Sequence, residues 1–323
     1  MSDDIYVLVH TKDNKCYAPA VLDGLSIEWR RKGQPGKLAF KAVQDELLTL
    51  EEGAIVQVKR GDTGIFQGIV FSRKLDKDGV ISVTCYDQLR YLKNKKVYSA
   101  VGKKASEIIK ELADDFGIQC GQLADTGYII PKFRAGDQTL FDLMQTALDM
   151  TTKSISQIFV LYDQYGALTV TKMEDLFVPI LIDAETAGNF NFGSTIDKDT
   201  YNRIKLYYDN KDTGKRDVWI QEDSESIKLW GLLEKAESVN PEASVNPADK
   251  AGVMLKKYNR VRRSLSIKNA FGDDRIRGGS SLLVRLRIDG KDVDMKMLVE
   301  AVRHRYGGGE HFMDLDLRGG MFE

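Results

Sequence analysis

Residues 53–87, GAIVQVKRGDTGIFQGIVFSRKLDKDGVISVTCYD, carry the clearest strand pattern of the chain. Three runs in this stretch alternate apolar with polar residues, as half-buried strands do. Residues 61–64 separate the first two runs, and residues 77–79 separate the last two. The Gly-Asp and Asp-Gly pairs at these points supply the positive φ that tight hairpins need. The stretch therefore predicts three strands joined by short turns.

The residues before this stretch continue the same pattern. LSIEWRRKG, residues 25–33, and KLAFKAV, residues 37–43, also alternate apolar with polar residues. Together these runs predict that about the first 95 residues form a small all-β barrel or sandwich.

The spacing of apolar residues becomes helical in the middle of the chain. KKASEIIKELADDFG, residues 103–117, predicts an amphipathic helix that stops at Gly117. QTLFDLMQTALDMTTKS, residues 138–154, predicts a second one. QIFVLYDQYGALTVTKM, residues 157–173, predicts a hairpin that turns at residues 164–166. A separate α+β unit is therefore expected after the first β region.

Strand patterns return in the last third of the chain. YNRIKLYYDNKDTGKRDVWIQED, residues 201–223, predicts a hairpin, and a helix-like stretch follows from Ser224 to about Ala236. A loop with two prolines then leads to a helix over about residues 248–258. Four strand-like runs close the chain, at residues 262–270, 281–288, 295–306 and 310–317. Because both ends are β-rich and similar in size, a pair of related barrels is an open alternative to two unrelated β regions.

Composition is that of a folded protein of 323 residues, long enough for two or three domains. Lys and Arg number 47 against 48 Asp and Glu, and the net charge is -1. Proteins that bind nucleic acid through its phosphates usually carry a basic excess. The balance therefore argues against nucleic acid, and we expect no sequence-specific contact with it.

Cysteine usage and the apolar runs indicate a protein made in the cytoplasm. Cys16, Cys85 and Cys120 are far apart and form no CxxC pair, so we expect reduced thiols rather than disulfides or a zinc site. The start, MSDDIYVLVH, has neither the basic region nor the apolar length of a signal peptide. No run approaches the roughly 20 apolar residues of a membrane-spanning helix, so membrane insertion is not expected.

The triplet Asp-Thr-Gly occurs three times, which raises the question of an aspartic protease. The copies begin at Asp62, Asp125 and Asp212. A catalytic copy needs its Asp at the end of a buried strand, so that two carboxylates meet and share a proton. Charged residues precede Asp62 and Asp212, and Asp125 lies in a predicted loop. All three copies therefore fit turns better, because Asp bonds to its local backbone and Gly accepts positive φ.

A second candidate for chemistry is VRHRYGGGEHFMDLDL, residues 302–317, in which His304, Glu310 and His311 are the conceivable metal ligands. If Gly307, Gly308 and Gly309 form the hairpin loop, the two histidine rings lie on opposite faces of the sheet. A two-residue loop would instead place both rings on one face. With the three-glycine loop as the simpler expectation, we predict no metal site.

Other signatures of catalysis or ligand binding are missing from the sequence. GxSxG, the Walker loop, HExxH and paired zinc spacings do not occur. Short basic stretches at residues 30–32, 93–96 and 260–263 fit solvated faces or subunit contacts. We therefore predict no enzyme, no catalytic residue and no cofactor.

Three parts of the chain carry a resemblance to one family. YNRI at 201–204, GKR at 214–216, SI at 226–227 and WG at 230–231 resemble the central signature of XkdQ/YqbQ-type phage tail proteins. The N-terminal SIEW, GIFQGIVFSRKL and CYDQLRYLKN resemble the first barrel of that family. GDDRIRGGSSLLVRL and GEHFMDLDL, near the C-terminus, are similar to its closing strands. The resemblance spans nearly the whole chain.

This family is related to late control protein D and to the baseplate hub of contractile-tailed phages. The resemblance implies an α+β, mainly β, ring-forming fold in which two small β-barrels flank or enclose an α+β domain. The expected domains are an N-terminal β-barrel (1–96), the α+β domain (97–196) and a second β-barrel (197–323) with an inserted helical segment at about 224–258.

The resemblance also implies a structural role in a phage tail or tail-like particle, from an infectious phage, a prophage or a tail-like bacteriocin. Such a hub is assembled in the bacterial cytoplasm as a homotrimer and joins the tail tube protein to the central spike protein. Baseplate wedge and tape-measure proteins are its other expected partners. Expected contacts lie at the hairpin tips Asp62, Thr63, Gly64, Asp212, Thr213, Gly214, Gly307, Gly308 and Gly309.

Two other classes of function remain as alternatives at this stage. One is a tail-associated peptidoglycan hydrolase, although no catalytic carboxylate pair, Cys-His pair or metal set stands out. The other is a cell-surface-binding tail protein built from the two β-rich regions. Aromatic residues make up 9% of the chain, without the Trp clusters that often stack on sugars.

Overall fold

The computed structural model describes residues 5–11, 15–45, 50–183, 185–210, 214–239, 246–288 and 290–319. The fold is mainly β with a helical middle part, which confirms the predicted fold class. Two compact units are present: residues 1–191 with 266–317, and residues 192–265 with 318–323. The division into three domains stays a prediction.

Residues 53–87 form three consecutive antiparallel strands, as their alternation predicts. Apolar side chains at alternate positions of these strands are buried, among them Val56, Val58, Ile81 and Val83. The strands of this first region are β1 (Ile5–His10), β2 (Cys16–Tyr17), β3 (Leu25–Arg30), β4 (Lys37–Val43), β5 (Ile55–Arg60), β6 (Thr63–Leu75) and β7 (Val80–Tyr86).

The two predicted amphipathic helices lie in the middle of the chain and share one apolar core. Thr139 begins the second helix by accepting a hydrogen bond from the Asp142 N–H at 3.1 Å. Ile108 and Leu112 of the first helix and Leu143 of the second are fully buried in this core. The elements are a 3-10 helix (Gln88–Lys93), β8 (Lys95–Lys104), α1 (Ala105–Asp115), β9 (Cys120–Leu123), β10 (Ile129–Thr139), α2 (Leu140–Ile155), β11 (Phe159–Asp163), β12 (Leu168–Lys172) and a second 3-10 helix (Met173–Leu176).

The smaller unit contains a three-stranded sheet, in the order β16 (Arg216–Glu222), β15 (Arg203–Asp209), β17 (Glu234–Ser238), and the helix α4 (Pro247–Tyr258). One face of this sheet packs on α4 through Ile204, Leu206 and Ala251. The elements that follow the second 3-10 helix are β13 (Phe177–Ile182), β14 (Asn189–Thr195), β15 (Arg203–Asp209), β16 (Arg216–Glu222), α3 (Ser224–Trp230), β17 (Glu234–Ser238) and α4 (Pro247–Tyr258).

The helix expected from Ser224 to about Ala236 is shorter than predicted and ends at Trp230. Gly231 follows with a φ of 78°, outside the helical region. The Asn202 side chain donates to the Gly231 carbonyl at 2.7 Å and accepts from the Leu233 N–H at 2.7 Å. These two bonds direct the chain into β17, which pairs with β15 in parallel.

The last four strands join the first region in one large sheet. They are β18 (Arg262–Phe271), β19 (Ser281–Ile288), β20 (Lys291–Gly307) and β21 (Glu310–Gly319). The order of this sheet is β14-β18-β21-β20-β3-β4-β7-β6-β5-β1-β2, and β19 pairs with β20 and β13. Ala301 of β20 lies opposite Arg30 of β3, so the two β-rich ends of the chain share one sheet. None of the helices that the structure describes is long and apolar enough to cross a membrane.

A short loop at residues 276–280 contacts β3 and β11. Its Arg277 guanidinium lies 4.3 Å from the Tyr162 ring centroid and 5.3 Å from that of Trp29. The same group donates to the Asp163 carbonyl at 2.8 Å. A Cβ on Gly278 would lie 2.5 Å from the backbone of Arg30 and Arg31, so only glycine fits this approach. The loop thus connects parts of the sequence that are more than a hundred residues apart.

Asp87 is a buried carboxyl beside this contact. It accepts hydrogen bonds from the Gly36 N–H at 2.8 Å and the Leu89 N–H at 3.1 Å. Burial and the neighbouring Asp163 carboxyl raise the pKa of Asp87 well above its usual value, although Gly36, Leu89 and Arg277 act in the opposite direction. Burial also raises the pKa of Asp163. The folded protein therefore binds protons here more tightly than the unfolded chain does.

We predict that Gly278→Ala lowers the free energy of unfolding by about 1–3 kcal/mol, because backbone atoms must move to admit the methyl group. Gly136→Ala is the matched control, since a Cβ on Gly136 meets no atom within 4 Å. The control is expected to change stability by less than about 1 kcal/mol. Urea unfolding followed by circular dichroism measures both variants. Equal stabilities for the two would contradict the close approach at Gly278.

A second prediction concerns pH and Asp87→Asn. A carboxyl group whose pKa is raised by folding stabilises the folded state at pH values below its unfolded pKa. This contribution is lost as the pH rises through the folded pKa. The asparagine variant has no such proton to bind. We therefore compare the free energies of unfolding of the wild type and the variant. The wild-type value minus the variant value is expected to grow when the pH falls from about 7.5 to about 5. A difference that stays constant over this range, in matched urea titrations, would show that Asp87 does not have a raised pKa.

Candidate functional site

The first Asp-Thr-Gly copy lies at the tip of the β5–β6 hairpin. Arg60 pairs with Thr63, which leaves Gly61 and Asp62 as a two-residue turn. Gly61 has a φ of 55°, a conformation that favours glycine. Asp62 and Thr63 are exposed. Gly64 differs, because the Tyr165 ring covers it and a Cβ there would lie 2.4 Å from that ring.

The second copy forms a local turn after α1. Asp125 accepts from the Lys104 side chain at 2.8 Å and from the Gly127 N–H at 2.9 Å. The Lys104 ammonium holds the pKa of Asp125 below its usual value. Thr126 is buried and accepts from the Ser106 N–H at 3.2 Å. Asp125 is thus paired with a lysine and its own turn, as the turn interpretation predicts.

The third copy lies at the β15–β16 hairpin. Asp212 and Thr213 lie outside the described residues. The β15–β16 hairpin is described as far as the pair Asp209 and Arg216, whose side chains form an ion pair at 2.6 Å. Gly214 has a φ of 68°, and its N–H donates to the Asn210 carbonyl at 2.9 Å.

The three glycines near the C-terminus do not all belong to the turn. Gly307 is the last residue of β20, and Glu310 is the first of β21, so Gly308 and Gly309 alone form the turn. Their φ values are 60° and 76°, as a two-residue hairpin turn of the I′ type requires. The Gly308 N–H donates to the Asp23 carboxylate at 2.9 Å, which anchors one side of the tip. Gly308 and Gly309 are exposed.

This two-residue turn corrects the expectation for the two histidines. With three residues in the loop, His304 and His311 were expected on opposite faces of the sheet. The observed turn shifts the register by one position and places both rings on one face. The His304 Nδ1 and His311 Nε2 atoms are 2.9 Å apart. Glu310, the other conceivable ligand, is exposed next to the turn.

The two histidines belong to a larger polar cluster. His304 Nε2 lies 2.9 Å from the Ile276 carbonyl, and it donates to that oxygen because a carbonyl can only accept. The Tyr306 ring stacks on His311 with the centroids 4.2 Å apart. Asp274 accepts from the Tyr306 hydroxyl at 2.7 Å and from Arg60 Nε at 2.6 Å.

Burial makes both rings weak bases. It lowers the pKa of His304 to about 4, and the nearby His311 acts in the same direction. Burial also lowers the pKa of His311, although Asp274 opposes it. Both imidazoles are therefore neutral at neutral pH, so each ring has one nitrogen that carries a proton and one that carries a lone pair. Since His304 donates through Nε2, its Nδ1 accepts the hydrogen bond from His311 Nε2.

The sequence pattern identified the histidines but missed the rest of this cluster. Asp274 lies 32 residues before Tyr306 in the sequence, and Arg60 lies 246 residues before it. The sequence signal for Tyr306 was its position two residues after His304 in a strand, which puts both side chains on one face. Nothing local to Arg60 indicated a partner near residue 274.

One strand exposes aliphatic side chains to an unusual degree. Val97 and Val101 of β8 are 70% and 76% exposed. They alternate with Tyr98 and Ala100, which pack on the helical core. Lys132 of β10 lies opposite Val101, so this face of the ribbon combines apolar and basic groups. Exposed apolar patches of this kind often mark contact surfaces.

Solved structures share this fold over almost the full chain. The 43 kDa tail protein of prophage MuSo2 from Shewanella oneidensis matches with a TM-score of 0.67 and 12% identity, covering 97% of this chain and 98% of that protein. The E. coli c3393 protein is a component of the type VI secretion system with structural similarity to the T4 bacteriophage tail proteins gp27 and gp5. It matches with a TM-score of 0.53 and 10% identity, over 93% of this chain and 74% of its own.

Sequence comparison gives the family. XkdQ, a protein of the phage-like element PBSX of Bacillus subtilis strain 168, is 28% identical over 309 residues, or 92% of each chain. The chain is therefore similar in sequence to a protein of a phage-like element and in fold to a prophage tail protein. A family model described as YQBQ-like matches residues 25–318, and the chain belongs to this YQBQ-like family.

Proposed function

We propose that the protein is a structural baseplate hub subunit of a contractile phage tail or a tail-like particle, such as a prophage particle or bacteriocin. Three copies would form a pseudo-sixfold ring that joins the tail tube to the central spike. The observation that carries the proposal is the match of nearly the whole chain to a prophage tail protein of almost equal extent. The role is mechanical and requires no catalytic group.

The arrangement of the large sheet supports a ring subunit. The N-terminal and C-terminal β-rich regions meet where β3 pairs with β20. The bidentate ion pair of Arg31 with Glu300, at 2.8 and 3.0 Å, links the same two neighbourhoods. A subunit that contributes two β regions held in one sheet can present two similar edges to its neighbours. Three such subunits would present six similar edges, which suits a sixfold tube above the ring and a threefold spike below it.

The surface also suits assembly. Val97 and Val101 are too exposed to contribute to the core of their own domain, and a partner that covers them would gain from their burial. Near-neutral net charge with many charged residues suits interfaces whose specificity comes from matched charges. The tube, spike, wedge and tape-measure proteins are the partners that we propose, after assembly in the bacterial cytoplasm.

The proposal predicts the mass of the purified chain in solution. A trimer has three times the chain mass of 36.3 kDa, or about 109 kDa. Light scattering at micromolar concentration should give this mass for the chain alone, or this mass plus that of the bound partner after addition of the tube or spike protein. A stable dimer that these partners do not change would contradict the ring. Negative-stain images of the trimer should show pseudo-sixfold symmetry.

The exposed hairpin tips give a second prediction. If the tips contact neighbouring subunits or the tube, Asp62→Arg and Gly308→Asn should reduce the trimer fraction under conditions in which the wild type assembles. Both changes preserve the turn, because Asp62 is exposed and asparagine tolerates positive φ. Asp78→Arg, at the exposed β6–β7 turn, is the matched control and should assemble normally. Normal assembly of all three variants would show that these tips do not contribute to the interface.

A further inference from the structure

We propose that Asp274, His304 and His311 form a binding site for a divalent transition metal such as Zn²⁺. One ligand atom from each side chain can be chosen so that all three lie within 4.8 Å of one another. Two imidazole nitrogens and a carboxylate oxygen are a common ligand set for zinc, and imidazole also suits cobalt, nickel and copper. The site lies at the base of the β5–β6 and β20–β21 hairpins, and the proposal does not depend on the proposed hub role.

His304 is oriented as a metal ligand. Its Nε2–H donates to the Ile276 carbonyl at 2.9 Å, which leaves the lone pair of Nδ1 directed toward His311. Histidines that bind metals commonly donate their other ring N–H to a carbonyl or carboxylate in this way. Complete burial and the contact with the Trp29 ring, 5.4 Å between centroids, hold the imidazole in place.

His311 can supply the second nitrogen. Its Nε2 is 2.9 Å from His304 Nδ1, and its Nδ1 is 3.5 Å from Asp274 Oδ1. Nitrogens bound to one tetrahedral zinc at about 2.0–2.1 Å are separated by roughly 3.3 Å. A shift of a few tenths of an ångström therefore opens the present hydrogen-bonded pair to an ion. In that state His311 carries its proton on Nδ1, 3.5 Å from Asp274 Oδ1.

The third ligand, Asp274, is shared with a competing cation. Arg60 Nε donates to Asp274 Oδ2 at 2.6 Å, and Arg60 Nη2 is 3.5 Å from His311 Nδ1. Tyr306 donates to Asp274 Oδ1 at 2.7 Å. Each carboxylate oxygen has two lone pairs, so Asp274 can keep these bonds and still face an ion. The positive charge of Arg60 nevertheless opposes a second cation, and its removal should strengthen binding.

An ion can reach the site from the side of Arg60. The side chains of His311, Asp274 and Arg60 are 12%, 21% and 29% exposed, whereas His304 is fully buried. Asp273 adds a further negative charge near His304, although Arg275 pairs with it at 2.6 Å. The remaining coordination position of a bound ion would therefore lie on the exposed side, where water can occupy it, as is usual when three protein groups bind zinc.

The test is metal titration of the purified full-length chain, first stripped with a chelator. Zn²⁺ binding is measured by calorimetry and by the metal content after dialysis, and Co²⁺ binding by its visible absorption. We expect one ion per chain for the wild type. His311→Gln and His304→Gln should weaken binding at least ~10-fold. Arg60→Met should strengthen it ~5-fold, because it removes one nearby positive charge.

His10→Gln is the matched control. His10 is the one histidine of the chain outside the cluster, and it lies near the exposed thiol of Cys16. This variant should bind the ion as the wild type does. Loss of binding in His10→Gln with retention in His311→Gln would place the ion at His10 and overturn the proposal. Failure of the wild type to bind at micromolar Zn²⁺ would also overturn it. Thermal unfolding without metal shows whether each variant is folded, and trimer mass measured in parallel reports on the hub role separately.

Discussion

The contact of Arg277 with Trp29 and Tyr162 determines how distant parts of this chain meet. The Arg277 guanidinium is half-buried and needs partners on several sides, because a charge withdrawn from water is costly unless it is paired. Two aromatic faces and the Asp163 carbonyl provide them. Gly278 lets the loop touch the backbone next to β3, and β3 is the strand that pairs with β20. This contact therefore lies beside the place where the C-terminal strands join the N-terminal ones, together with the Arg31–Glu300 ion pair.

A second constraint acts at the C-terminal end of β20. Gly308 and Gly309 both have positive φ, and a two-residue turn of this kind permits only one register between β20 and β21. In that register His304, Tyr306 and His311 share a face, and their contacts with Asp274 and Arg60 follow from it. A third residue in the turn would have sent the two rings to opposite faces. The polar cluster thus depends on the backbone freedom of two glycines rather than on any of its own members.

Local pattern predicted most of the elements and few of their distant partners. The alternation of residues 53–87 and the helical spacing of residues 103–117 and 138–154 correspond to β5–β7, α1 and α2. The pattern after Ser224 was wrong about helix length, because the bonds from Asn202 that redirect the chain come from outside the segment. Pairs such as Ala301 with Arg30, or Arg60 with Asp274, could not be predicted, since sequence spacing carries no information on contacts across the fold. The expected loop of three glycines failed for a related reason, because sequence alone allows both registers.

Exposed and buried features of the chain have different physical roles. Exposure of Val97 and Val101 to water costs free energy, and a surface that covered them would remove this cost, which is why we propose that they serve assembly. The cluster around His304 is satisfied within its own unit, with each imidazole neutral and hydrogen-bonded, so it needs no partner subunit. Changes at the cluster should therefore act on the stability and metal content of the single chain, whereas changes at β8 or the hairpin tips should act on assembly. The hub role that we propose requires both at once, since the single chain has to fold before its edges can meet a neighbour.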